Sequence, residues 1–384
     1  MALQLILGNA GAGKSHYIFE KIIQESMEHP TKQYLIIVPE QFTMQTQKDL
    51  VMMHPHHGIM NIDVLSFERL AHRVFSEVGG EHRKILEDTG KSLVLRKLAE
   101  EKKDELTLLG GSLRKLGYIS EVKSLLSEFV QYRIEPEDLT QIMEQNKSNP
   151  QLYFKLKDMK VIYESFRQYL KDTYLTAEEL LKALEDTVEQ SRSVRNSVIV
   201  LDGYHGFTPI QLGLIGRLLT LTDELYVTMT LDHREEPFQM EAEHQLFYAT
   251  KKTIQDLRKV AEQTGVEIRN PIMLGKDKIW RYKDAPALRF LEEHIYRHSR
   301  RFWNEETDAV TLFAARTPRS EVECISREIL KLVRDEKFRY REMAVVTGDL
   351  DTYGPLFDQT FARLGIPGFM DAKRDVLKNP FVEF

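Results

Sequence analysis

The chain opens on a strand-length apolar run, Leu3–Leu7, and passes straight into Gly8-Asn9-Ala10-Gly11-Ala12-Gly13-Lys14-Ser15. This fills the pattern G-x-x-x-x-G-K-[ST], and a helical stretch from about Lys14 to Met27 follows. Each part has a physical task. Glycines let the backbone take φ > 0, so that successive N–H groups turn inward onto phosphates. The start of a helix adds partial positive charge. A lysine at position 14 reaches the β- and γ-phosphates, and Ser15 offers its hydroxyl to Mg²⁺. The segment therefore predicts a nucleoside triphosphate cradle, with ATP and Mg²⁺ as its ligands.

Such a loop needs a carboxylate at the end of another strand to hold the metal. Asp202 ends the apolar run Val198–Leu201 and is the expected partner of Ser15; Asp232, after Leu225–Leu231, is its rival. Motor ATPases usually carry a glutamate directly after this aspartate. Here the residue is Gly203, which can neither accept a proton nor orient water. Loss of such a group lowers the rate by about a hundred-fold or more. Binding with weak hydrolysis is expected, and no catalytic residue is assigned.

Short apolar runs recur at Tyr34–Val38, Asn61–Leu65, Ser197–Leu201 and Leu225–Leu231, separated by helical patterns. Strands alternating with helices imply an α/β fold with a parallel sheet. Residues 81–195 are different. Apolar residues fall at helical spacing there, as in Val122, Leu125, Leu126, Phe129 and Val130. They form a helical insertion too long for a loop, and its apolar stripes are core. The expected organisation is a P-loop NTPase domain from 1–80 and 196–300, the all-helical insertion 81–195, and a second α/β domain over 308–384. That second domain starts with strands at Val310–Phe313 and Met343–Thr347. It reads as incomplete, as though the chain were the N-terminal part of a longer protein stopping at Asn379–Phe384.

Composition excludes some classes. The formal net charge is −6, which gives no sign of nucleic-acid binding, although a local basic groove is enough. Cys324 is the only cysteine. Disulfide frameworks and cysteine-held zinc or iron–sulfur sites are thus ruled out within this chain, and a lone thiol fits a reducing, cytoplasmic setting. No signal peptide and no run of about 18 apolar residues is present, so no membrane association is expected. The cluster His54, His56, His57 lies in a Pro/Gly context and reads as an exposed loop.

Four segments then occur in a telling order: the P-loop, Val38-Pro39-Glu40-Gln41-Phe42-Thr43, Leu65-Ser66-Phe67-Glu68-Arg69-Leu70, and Asp202-Gly203 with Phe207-Thr208-Pro209-Ile210-Gln211. With the helical insertion, this resembles the B subunit of the AddAB/RexAB-type ATP-dependent helicase–nuclease. The resemblance implies a superfamily-one helicase-like fold, an A subunit as partner, and single- and double-stranded DNA as substrates in recombinational repair of breaks. It also implies a nuclease domain with an iron–sulfur cluster farther along the full protein than this chain reaches. By the same analogy Gln41 and Thr43, and Ser66 and Phe67, stand where helicase motifs meet single-stranded DNA. Hydroxyls can bond phosphates there, and a phenyl ring can stack on a base; read alone, Phe42 and Phe67 are more often core residues. Arg69, Arg73, Arg83 and Lys84 offer either a basic groove or a solvated face.

Active relatives of this type carry an arginine after the strand that corresponds to Met343–Thr347, whereas Gly348 and Asp349 stand here. They also carry a glutamine motif ahead of the loop, for which a loop starting at Gly8 leaves no room. Two other readings of the same loop are an autonomous ATP-driven translocase on single-stranded DNA and a P-loop small-molecule kinase.

Overall fold

The computed structural model describes residues 1–79, 83–110, 116–171, 173–276, 279–297 and 299–370. The chain end at Asn379–Phe384 lies outside them. The chain divides into two compact units, Met1–Arg301 and Phe302–Phe384.

The first unit is built on a parallel sheet. Its strands are β1 (Ala2–Gly8), β2 (Tyr34–Ile37), β3 (Ile62–Leu65), β6 (Val198–Leu201), β7 (Glu224–Thr230), β8 (Glu267–Ile268) and β9 (Ile272–Leu274), while β4 (Lys84–Ile85) and β5 (Tyr174–Leu175) pair apart from it. The order is β3-β2-β6-β7-β1, with β8 and β9 both along the outer edge of β1. The apolar runs are continuous because the central strands are covered on both faces. Leu3, Leu5 and Leu7 of β1 face one core, with Ile199, Leu201, Leu225 and Val227. Ile6 faces the other, with Ile36, Val200 and Tyr226. The first face is covered by α3 (Phe67–Val78), α8 (Ala177–Thr187), α9 (Pro209–Leu221) and α10 (Tyr248–Thr264). The second is covered by α1 (Lys14–Glu28) and α2 (Thr43–Met53). Each leucine or isoleucine fully buried this way contributes roughly 1.5–3 kcal/mol.

The helical part has its own core. Helices α4 (Asp88–Glu101), α5 (Leu116–Gln131), α6 (Pro136–Gln145) and α7 (Pro150–Leu170) enclose Leu95, Leu98, Ile119, Leu126, Phe129, Met159 and Phe166. Asp158 of α7 is fully buried and accepts the backbone N–H groups of Thr107, Leu108 and Leu109 at 2.8, 2.6 and 2.8 Å. Those three bonds satisfy a charge that burial would otherwise penalise. This separate core is narrower than the span 81–195. It ends at Leu170, whereas Leu175, Leu180, Leu184, Val188 and Val194 join the sheet's core. The pattern of α8 is helical like its predecessors, so periodicity alone does not reveal which core it serves.

In the first unit α11 (Pro286–His294) is the last helix, and in the second α12 (Pro318–Arg334) packs on α13 (Leu350–Leu364), with Val322, Ile329 and Phe357 buried. Val310–Phe313 and Met343–Thr347, read above as strands, form no ladder among the described residues. A strand needs a neighbour for its backbone groups, and without one Leu312 and Val346 stand almost fully exposed. No helix among the described residues is long and apolar enough to cross a membrane.

Candidate nucleotide site

The parallel strands of the main sheet deliver their C-terminal ends to one rim, where ligands of open α/β sheets bind. Residues 8–15 leave β1 at this rim and turn into α1. Gly11 has φ +78°, and a Cβ there would stand 2.6 Å from the Cβ of Arg281, so only glycine fits. Gly13 is the N-cap of α1; it supplies no side-chain cap, and the first turn holds no acidic residue. The first N–H groups of α1 are thus left open to an anion.

Lys14 folds back over the loop and donates to the carbonyls of Gly8 and Asn9, each at 3.0 Å. Its pKa falls to about 8, chiefly because burial strips water from the ammonium; Asp202 opposes the shift and Arg281 adds to it. The Ser15 hydroxyl donates to Asp202 Oδ1 at 3.0 Å. The structure thus joins the two groups that the sequence assigns to Mg²⁺. The Thr228 hydroxyl donates to the same Oδ1. Among the described residues Oδ2 takes no hydrogen bond, so this carboxylate keeps a free oxygen. An oxygen-only donor pair of hydroxyl and carboxylate fits a hard divalent cation.

Asp232 is arranged differently. Arg234 donates to it from its backbone N–H and Nε, both at 2.9 Å, and from Nη2 at 2.5 Å. Arg297 stands 2.9 Å away. Burial pushes this carboxyl up, but the Arg234 hydrogen bonds and the Arg297 charge outweigh it and hold it well below the usual carboxylate range. Both oxygens are occupied, so the rival candidate is tied into a structural ion cluster.

Gly203 has φ +79°, and a Cβ there would meet Pro39 and Phe42 only at ordinary contact distances of 3.5 and 3.9 Å. A glutamate at this position would have room but would be strained by the left-handed backbone. Its absence is therefore written into the backbone of this turn.

Three residues outside the motif, Glu292, His233 and Arg281, reach the loop and escape the sequence reading. Asn9 is buried; its Nδ2 donates to Glu292 Oε1 at 3.1 Å, and its Oδ1 accepts the His233 backbone N–H at 3.2 Å. The Arg281 backbone N–H donates to the Gly11 carbonyl at 3.3 Å. Its guanidinium lies close enough to depress Lys14 and takes no ion-pair or hydrogen-bond partner among the described residues. Arg281 and Glu292 return to the loop from far along the chain through β9, a three-residue strand whose pattern is too short to read.

The rim beyond β2 and β3 holds the residues expected to meet DNA. Gln41 is exposed, as is Phe42 beside it. Thr43 is buried and donates its hydroxyl to the Glu40 carbonyl at 2.9 Å. Ser66 is buried as the N-cap of α3 and accepts the Arg69 N–H at 3.3 Å. Phe67 is buried against Tyr204, with ring centroids 5.5 Å apart. Arg69 and Arg73, candidates for a basic groove, pair with Glu40 at 2.9 Å and Asp63 at 2.5 Å. Of the histidine cluster, His54 is buried and accepts the His56 N–H at 3.1 Å, while His56 and His57 are exposed.

A family model described as "ADDB, N-terminal" matches residues 5–292. The chain is 41% identical, over its full length, to the B subunit of the ATP-dependent helicase/deoxyribonuclease of Lachnoclostridium phytofermentans, and covers 34% of that protein. It is 35% identical to the protein of the same name from Caldanaerobacter subterraneus subsp. tengcongensis, covering 33% of it, and 32% identical to that of Clostridium kluyveri, again covering 33%. The chain thus spans about a third of the length of the curated relatives it matches.

Proposed function

The chain belongs to the ADDB N-terminal family, and from that premise we propose that it is the nucleotide-binding, DNA-contacting part of the B subunit of an ATP-dependent helicase–nuclease, a protein that processes double-strand breaks for recombinational repair. In this reading the first unit is a superfamily-one helicase-like P-loop domain, residues 1–80 and 196–300, interrupted by the helical insertion 81–195. The unit from about 308 onward begins a second such domain. The complex acts in the cytoplasm, with the A subunit and with single- and double-stranded DNA as its partners; the iron–sulfur nuclease belongs to other parts of the full protein.

One observation carries the reading: the Ser15–Asp202 hydrogen bond, which brings a complete phosphate loop onto the carboxylate ending another strand. Lys14 exchanges the carbonyls of Gly8 and Asn9 for phosphate oxygens. The N–H groups of residues 9–15 surround the same anion, and the Arg281 guanidinium adds a second cation beside them. Ser15 Oγ and Asp202 hold Mg²⁺, which when bound neutralises phosphate charge. No carboxylate follows Asp202 to hold the attacking water, so the site binds ATP far better than it turns it over. Gln41 and Phe42 offer the exposed polar and stacking groups toward a single strand. Thr43, Ser66 and Phe67 shape that segment from beneath and reach DNA only when it moves.

The test is ATP binding beside ATP turnover by this chain, with and without single-stranded DNA. Tight binding with negligible turnover is expected. Strong DNA-stimulated turnover would show an autonomous translocase instead.

A further inference from the structure

The magnesium carboxylate is fixed by a residue that no phosphate-loop pattern includes. Strands β6 and β7 run parallel with Leu201 beside Val227. The next pair in this register is therefore Asp202 and Thr228, and neighbours in a parallel pair point to the same side of the sheet. Thr228 sits between β6 and β1, where it also faces Ile6. Its side chain is 3% exposed. A hydroxyl at such depth needs a partner, and it finds one in Asp202 Oδ1.

We propose that Thr228 is a positioning residue for Asp202: its hydroxyl pins Oδ1 and so leaves Oδ2 as the oxygen presented to the divalent cation of a bound nucleotide. The proposal rests on the reading of residues 8–15 and Asp202 as a magnesium–nucleotide site. A carboxylate on a single-bond pivot has a broad torsional well, and one hydroxyl from Ser15 is a weak anchor because Ser15 is itself needed at the metal. Thr228 donates to the same oxygen from a rigid central strand of the sheet. As a neutral donor it fixes the carboxylate without cancelling its charge. Valine has nearly the same shape and suits a buried strand at least as well, so packing does not explain the hydroxyl.

The experiment measures ATP affinity in Mg²⁺ and in EDTA for the wild-type chain, Thr228→Val and Thr228→Ser, with a melting curve for each. The wild type binds more tightly in Mg²⁺. Thr228→Val is expected to reduce that enhancement about ten-fold, the size of one hydrogen bond to a charged group, and Thr228→Ser to restore most of it. Thr228→Cys, similar in volume with a weaker donor, repeats the measurement should the valine variant not fold, and should fall between. A wild-type enhancement in Thr228→Val overturns the proposal. So does an equal loss in Mg²⁺ and EDTA, which marks a purely structural role, and so does failure of serine to rescue. A wild-type chain that binds no ATP at all removes the underlying nucleotide reading, a result distinct from any of these.

Discussion

Asp202 and Asp232 end adjacent strands of one sheet, after apolar runs that look alike, and the protein treats them in opposite ways. Asp202 is held by two neutral hydroxyls, Ser15 and Thr228, both on one oxygen. Asp232 is held by two guanidiniums, those of Arg234 and Arg297. Neutral donors orient a carboxylate and leave its charge for a ligand. Guanidiniums orient it just as firmly but neutralise it, turning it into a joint between β7 and the segment after α11. The cluster extends through Arg297 to Glu235, at 2.9 Å, and on to the buried Lys251, at 2.8 Å. In the proposed site, the charge of its partners is what separates the metal carboxylate from the structural one, a property invisible in the strand that precedes it.

The comparison can be broken in several ways. The largest expected effect is from Lys14→Ala, which removes the ammonium beside Asp202: ATP affinity falls a hundred-fold or more, about two charged hydrogen bonds, as read by fluorescence titration. If affinity holds, residues 8–15 are not a phosphate cradle. Next, Asp232→Ala takes from Arg234 its carboxylate partner and leaves Arg297 paired with Glu235 alone of the two carboxylates it holds. Breaking a fully buried pair costs about 3–5 kcal/mol; these guanidiniums are partly exposed, so about 2 kcal/mol is expected in urea unfolding, with the Mg²⁺ enhancement of ATP binding retained. An unchanged midpoint would deny the cluster its structural role.

The smallest effect is on pH. Lys14 has a pKa lowered to about 8 in the free site, and bound phosphates favour its charged form. Binding above that pH must therefore take up a proton, so ATP affinity falls as pH rises through about 8, by roughly ten-fold at pH 9. Because Asp202 raises this pKa, Asp202→Asn should move the fall to lower pH, whereas Asp232→Asn should not move it. A pH-independent affinity between 7 and 9 would contradict this account of Lys14.

Much of this was legible in the sequence, and the limits are physical. Strands β1, β2, β6 and β7 show as apolar runs because they are buried on both faces, while the half-buried edge strand β3 shows through Ile62, Val64 and Leu65. The strands β8 and β9, two and three residues long, carry no readable period. Arg281 and Glu292 reach the loop by way of β9, so they were unreadable too. Thr228 looks like any β-branched strand residue until the register sets it beside Asp202. Ser66 and Thr43 keep the hydroxyls expected of them, but α3 and the turn after β2 use those groups locally. The strand-end position favours Asp202 in the sequence, but the ion pairs of Asp232 show only in three dimensions, because Arg297 lies far from it in the chain.

The central claim is that Asp202, not Asp232, serves the nucleotide's metal. The direct measurement is the ratio of ATP affinities in Mg²⁺ and in EDTA for Asp202→Asn and Asp232→Asn, each of which keeps the shape of the side chain and removes its charge. Asp202→Asn is expected to lose most of the enhancement while Asp232→Asn keeps it. An enhancement that survives in Asp202→Asn and is lost in Asp232→Asn would contradict that claim.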